Sequence, residues 1–430
     1  MRLAVADLRL VLVAAATLLS GLSPTSAAAQ EENAALAPYV LLRSLQLVQD
    51  TVVAGDHSAG EMQRFMLNKI DERLRSAPPA VFSDPRNVDA ALVYAMSGGN
   101  PQTLEYLVSR DVAGNFDTRL ADALRKYLAG KGTLIATSLG ELANEYRDQR
   151  IGPYVALVSG NVTLTKDPKG ALVFYDMARL AAPGTIVEEA ALRRSVAIAV
   201  DADLVDRGLA YARQYARRFV HSPYAGQFAD FFVQLVVEHY PQVSEHDIDG
   251  TIEFMDVDRR REVFLRIARS AALKGNEELA RVASAKAAAL AGLEIGSPGA
   301  MARLYGGLAD ISTPKVGAAA KAIAEIPDDE LSPRDQALRQ AARMIADEVL
   351  REPSPESLAQ DEAATMLSTP EATTAVASSG DETSGSAQVA SPLPERSTVK
   401  LDAEFQTFVE TGRSKLSAID DLLKEEGGKP

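Results

Sequence analysis

The chain contains no cysteine and no tryptophan, only 4 histidines among 430 residues, and aromatic side chains at 6%. Without cysteine there is neither a disulfide nor a lipoprotein attachment point. An oxidising compartment is tolerated without being used for stability, as expected of a domain large enough to bury its own core. With so few large side chains, Ala and Leu must carry that core, which suits stacked helices better than a β-sandwich. Basic residues are also in deficit, 45 Lys and Arg against 59 Asp and Glu, for a formal charge of −14. That balance argues against nucleic acid and against an anionic membrane surface as partners. An enzyme acting on a cationic substrate stays open on charge alone.

Long apolar runs are missing too, except at the start. Arg2 and Arg9 precede an apolar stretch over residues 10–22, and Ala27-Ala28-Ala29 before Gln30 offers a small-residue cleavage site. The stretch is shorter than the ~20 residues that span a bilayer. It reads as a cleaved export signal over residues 1–29, leaving a soluble periplasmic protein with no stable membrane insertion.

Residues 152–184 hold the clearest architectural pattern. Ala171, Tyr175, Ala178 and Pro183 follow the small–aromatic–small–Pro spacing of the second helix of a tetratricopeptide repeat, with Val155, Val158, Ser159 and Val162 on the first. Two helices approach closely where small residues meet, and the aromatic ring fills the remaining gap. One such hairpin cannot bury its own apolar face, so neighbours of the same kind are implied. Phe264, Ile267, Ala268 and Ala271, the turn Gly275-Asn276, then Ala280, Ser284 and Ala287 form a second copy. Leu209, Ala212, Tyr215, Ala216 and Pro223 form a stretched one, so the array is irregular.

A capping residue followed by Pro recurs at Asp84-Pro85, Asn100-Pro101, Asp167-Pro168, Ser222-Pro223, Ser297-Pro298, Thr313-Pro314 and Ser332-Pro333. Each predicts a helix start, since the cap oxygen takes free N–H groups and Pro at the first helical position loses none. Ser58 with Glu61 predicts a capping box. The fold class is therefore all-α: an irregular tetratricopeptide-like solenoid over residues 30–351. Residues 352–399 are Pro-, Ser-, Thr- and Glu-rich and read as a low-complexity linker. Residues 400–426 read as an amphipathic helix, with Phe405 and Phe408 on its apolar face as candidate partner contacts.

Chemistry-bearing motifs are scarce. Glu245, Asp247, Asp249 and Asp256, with Gly250 and Ile252 between, imitate a calcium loop, but Glu stands at its first position and the shorter Asp at its twelfth. Ser244 capping a helix, with Asp247 in its first turn, explains the same residues. His239 and His246 lie seven apart, but Pro241 interrupts the helix that would align them. Ser397-Thr398-Val399-Lys400 matches S-x-x-K, yet it sits in the linker, where no rigid shell would orient the Lys. No G-x-S-x-G, H-E-x-x-H or phosphate-binding glycine loop occurs. Arg193-Arg194, Arg217-Arg218 and Arg259-Arg260-Arg261 stand out in an acidic chain. Solvated helix faces explain them, while Arg217 and Arg218 are the candidates for gripping an acidic partner.

Several longer strings are similar to the periplasmic flagellar-motor family MotC. They are Pro38-Tyr39 leading into Leu42-Arg43-Ser44-Leu45-Gln46-Leu47-Val48-Gln49-Asp50, then Asp84-Pro85-Arg86-Asn87-Val88-Asp89-Ala90-Ala91, and Ala181-Ala182-Pro183-Gly184-Thr185 with Glu188-Glu189-Ala190-Ala191-Leu192-Arg193-Arg194. Tyr305-Gly306-Gly307-Leu308 and Leu331-Ser332-Pro333-Arg334-Asp335 complete the set. The resemblance implies a non-enzymatic periplasmic protein, without cofactor, needed for flagellar rotation and acting on the stator through the periplasmic part of MotB. It supplies no catalytic residues to carry over. Two other classes stay open: a helical-repeat adaptor of a cell-wall enzyme complex, and a calcium- or solute-binding module built on the 245–256 loop.

Overall fold

The computed structural model describes residues 36–291 and 297–351. The chain divides into two compact units, Met1–Glu352 and Pro353–Pro430, and every described residue belongs to the first. Among the described residues are seventeen α-helices, three short 3-10 turns and no strand.

An opening pair, α1 (Pro38–Ala54) and α2 (Ala59–Ser76), precedes the array. Successive antiparallel pairs follow: α3 (Pro85–Met96) with α4 (Pro101–Ser109), α5 (Thr118–Leu128) with α6 (Ala136–Glu145), and α7 (Gly152–Thr163) with α8 (Pro168–Ala181). Next come α9 (Ile186–Asp201) with α10 (Val205–Phe219), then α11 (Ala225–Glu238) and α12 (Glu245–Ile252). The array continues through α13 (Val257–Leu273) with α14 (Glu277–Ala291) and α15 (Ser297–Asp310) with α16 (Val316–Ala324), and ends on α17 (Pro333–Val349). The first helices of consecutive pairs, α7, α9, α11, α13 and α15, stack side by side. One pair departs from the rule: α12 packs on α10 rather than on α11. Pro241 lies in the connection between α11 and α12, where it cannot continue a helix.

The small–aromatic spacing works as expected. Ala171, Tyr175 and Ala178 of α8 are fully buried, as are Val155 and Ser159 of α7. Gly160 lets the Tyr175 ring lie against the α7 backbone; a Cβ there would stand 2.6 Å from Tyr175 Cε1. In the second copy Phe264, Ile267, Ala268, Ala271, Ala280, Ser284 and Ala287 are all buried, and Gly275 makes the turn at φ 75°.

Four of the seven cap–Pro pairs start helices as read. Asp84, Asn100, Asp167 and Ser332 each accept a backbone N–H in the first turn. Helix α15 begins at Ser297 itself, and residues 292–296 before it lie outside the described residues. The other two pairs start their helices late. Ser222 and Thr313 accept the N–H two residues on, closing local turns at 3.2 Å, so α11 and α16 begin at Ala225 and Val316. The capping box expected at Ser58 is not formed. Asp56 takes the Ser58 hydroxyl and amide instead, leaving Ser58 without a bond to the helix it precedes.

The buried apolar residues form two cores. One runs from Leu42 to Val162, the other from Val53 and Ala156 to Ala342, with Tyr154 and Met177 packed against both. Helix α1 belongs to both: Leu42 and Leu45 enter the first core, and Val53 enters the second.

Candidate functional site

Two polar constructions organise the middle of the array. The first surrounds Glu188 and Glu189, in the opening turn of α9, where carboxylates suit the positive end of the helix. Both are fully buried. Glu188 accepts from Gln214 at 2.8 Å, from Arg218 Nη1 at 2.8 and 2.7 Å, and from the Gly184 amide. Glu189 accepts from Arg193 Nε at 2.9 Å and from the Tyr215 hydroxyl at 2.8 Å. Burial, reinforced by Glu189, pushes the Tyr215 phenol far up, so it stays a donor. The network extends at both ends. Arg179 bridges Asp176 and Gln214, while Arg193 reaches Gln227 of α11 at 2.6 Å and stacks over Tyr224 at 4.7 Å.

Buried carboxylates tolerate ionisation only when paired and hydrogen-bonded, and here each has several donors. The cluster ties α8, α9, α10 and α11 into one block. Its carboxylates hold packing groups rather than facing a cleft.

The second construction is α1 itself. The amide of Tyr39 donates to Asn87 of α3 at 3.2 Å, and Gln46 Nε2 donates to the Tyr154 hydroxyl of α7 at 2.8 Å. Asp50 then accepts the Ile186 amide at the start of α9, at 3.0 Å. At the far end Gly55, at φ 119°, sits against His221 so closely that a Cβ would be 2.8 Å from the His221 Cβ. Read along α1, these contacts touch α3, α7, α9 and the α10–α11 turn in order. Helix α1 is a strap laid along one edge of the array, where the first helices of the pairs begin.

The calcium-type loop is not formed. Glu245, Asp247 and Asp249 lie in α12, with Ser244 and Asp247 closing a reciprocal capping box. Asp247 accepts from Arg213 at 2.6 Å, and Asp249 and Glu245 both face Lys286. Asp256 caps α13 and pairs with Arg259. A helix points these carboxylates to different partners, where a calcium loop would fold them inward. Among the described residues no group of three or more His, Asp or Glu is placed to hold a metal ion.

The neighbouring arginines part company. Arg218 bonds the buried Glu188, so that candidate contact is a structural group. Arg217 is exposed and lies over the Phe254 ring at 5.2 Å. His239 caps the end of α11 and His246 sits in α12, with the helix interrupted between them. Phe405, Phe408, the 352–399 stretch and Ser397 to Lys400 lie outside the described residues, as does the N-terminal run. The strap residues Asp50, Tyr154 and His221 were not singled out by sequence, although Asp50 closes the first of the family-like strings. No helix of the described residues is long and apolar enough to cross a membrane.

The chain matches the family described as Chemotaxis protein MotC over residues 2–428. This chain belongs to the MotC family. It is 50% identical over 404 residues to the Chemotaxis protein MotC of Rhizobium meliloti (strain 1021), covering 91% of this chain and 93% of that protein. No solved structure matches the chain. Within the MotC fold the family-like strings occupy the constructions just described: the strap, the start of α3, and the Glu188–Glu189–Arg193 cluster. Two further strings meet where the Tyr305 hydroxyl donates to Asp335 at 3.0 Å.

Proposed function

We propose that this protein is a non-enzymatic periplasmic scaffold of the flagellar motor, required for rotation and acting on the stator through the periplasmic part of MotB. The observation that carries the reading is the MotC match across nearly the whole chain, together with a relative named a chemotaxis protein at 50% identity. The disposition of charge supports it. The most deeply buried acids, Glu188 and Glu189, are consumed in holding helices together, and the fold they stabilise is a stack of hairpins suited to presenting extended surface. The basic–apolar–small pattern of residues 1–29 supports export.

Osmotic release of cells tests the compartment. The soluble fraction should contain protein beginning near Gln30, whereas full-length protein recovered only with membranes contradicts it. Immobilised periplasmic MotB fragment tests the partner. Retention of this protein supports the stator route, and its absence at micromolar concentrations removes it.

A further inference from the structure

Buried tyrosines in this array share a construction: the hydroxyl donates to a carboxylate, and an arginine pairs with the same carboxylate. Tyr94 donates to Asp71 at 3.1 Å, with Arg75 Nε at 3.2 Å. Tyr215 donates to Glu189 at 2.8 Å, with Arg193 Nε at 2.9 Å. Tyr305 donates to Asp335 at 3.0 Å, with Arg269 Nε at 3.7 Å. Tyr175 breaks the rule. It donates to the amide oxygen of Asn161 at 3.0 Å, so the arginine near it meets no acid there.

That arginine is Arg194 of α9. Burial pushes the Tyr175 phenol up to about 12, and the nearby Arg194 charge opposes the rise. The Arg194 side chain is only partly buried, and its guanidinium donates to the Ala190 carbonyl at 3.3 Å. Among the described residues no carboxylate lies at ion-pair distance from it. A second donor is spare. Tyr127 Oη accepts from the Asn161 amide at 3.4 Å, and its own proton has no acceptor among the described residues. The turns of α9 before and after Arg194 carry Ala190 and Ala197, small, neutral and partly exposed. The next acid on that stripe, Asp201, is two turns on, about 10 Å along the axis. The strap marks the same face as one that side chains from elsewhere can cover. Gln46 and Asp50 bond Tyr154 of α7 and Ile186 of α9, and Asn161 and Arg194 lie two turns further along those two helices.

From this arrangement we infer that Arg194, Tyr127 and Asn161 form a receptor for one carboxylate, supplied by an Asp or Glu side chain of a partner protein. It takes the place that Asp71, Glu189 and Asp335 fill elsewhere in the array, accepting from Arg194 and Tyr127. The overall negative charge of the chain opposes this little, since solvent screens charges beyond about 8–10 Å. An isolated exposed ion pair is too weak to hold a free anion, so the rest of the partner's segment must add to it. In this the inference rests on the scaffold reading above, in which the chain works by holding another protein.

Site-specific photo-cross-linking of the full-length protein in motile cells tests this. A photoreactive amino acid replaces Ala197 or the exposed Asp201, with fully exposed Val112 as the control position. Probes at 197 and 201 should cross-link to one segment of another protein, through a peptide containing Asp or Glu, and the control should not. Sequencing the cross-linked peptide separates a partner from residues 400–426 of this chain. Arg194→Gln should lower the adduct by about tenfold. Asn161→Asp installs the missing acid and pairs Arg194 within the chain, so it should abolish the adduct without lowering the melting temperature. Should it lower the melt, Arg194→Gln decides alone. No adduct, an adduct within this chain or to a second copy, a peptide without an acid, or a yield unmoved by these variants would overturn the inference. Swimming of a deletion strain is scored separately. The expected adduct in cells that swim without the gene would sink the motor reading while leaving the receptor standing.

Discussion

Asp50 Oδ1 accepts the Ile186 amide at 3.0 Å, so a side chain near the N-terminus caps a helix 136 residues further along the chain. The contact marks α1 as a strap spanning both cores, and its chemistry can be tested by titration. Burial raises the Asp50 pKa above its ordinary 3.8 by more than the Ile186 amide lowers it. Between those values the folded state binds more protons than the unfolded one, so this group's contribution to stability falls as pH rises through the window. Asp50→Asn keeps an acceptor without the buried charge. It should be at least as stable as the parent at pH 7, the difference vanishing below the ordinary carboxylate pKa. Asp50→Ala loses the cap and should cost about 1 kcal/mol. Urea denaturation across pH separates the three chains.

Arg217 and Arg218, adjacent in sequence, should behave differently on removal. Arg218→Ala takes two hydrogen bonds from the buried Glu188 and should cost about 1.5–3 kcal/mol. Arg217→Ala removes an exposed cation–π contact worth about 0.5–1 kcal/mol. Equal losses in thermal denaturation would contradict the placement of both.

Gly160→Ala pits propensity against packing. Alanine gains about 0.8–1.0 kcal/mol in a helix interior. The added methyl would meet a fully buried ring that is itself anchored by the Tyr175 hydroxyl donating to Asn161 at 3.0 Å. Overpacking of about 1–3 kcal/mol should therefore win, and the melting temperature should fall. The same seam makes Ala178→Leu destabilising.

Tyr305→Phe removes the hydroxyl that donates to buried Asp335, leaving that carboxylate with Ser332 at 2.7 Å and Arg269 at 3.7 Å. Hydrogen bonds to charged groups contribute about 1.5–3 kcal/mol, so a fall of several degrees in melting temperature is expected. An unchanged melt would show that α15 and α17 are held by their apolar contacts alone.

The all-α array was legible because its requirements are local. Ala171, Tyr175 and Ala178 must lie on one helix face wherever the partner helix comes from, and Ser244 with Asp247 closes its box within three residues. Local competition explains the failures. Asp56, two residues upstream, draws Ser58 away from its helix, and Ser222 and Thr313 close turns before their helices begin. The strap was not legible. Periodicity marks which face of α1 is apolar, but Tyr39, Gln46 and Asp50 find partners 48, 108 and 136 residues away. For the same reason sequence grouped Arg217 with Arg218; only the packing of α9 against α10 puts Glu188 beneath one of them.

The measurement that bears most directly on the account is the behaviour of cells lacking the gene. Electron microscopy should show assembled filaments, and tethered-cell recordings should show motors that do not turn, with rotation restored by the intact gene in trans. Normal swimming without the gene, or an absence of filaments, would contradict a scaffold that serves rotation.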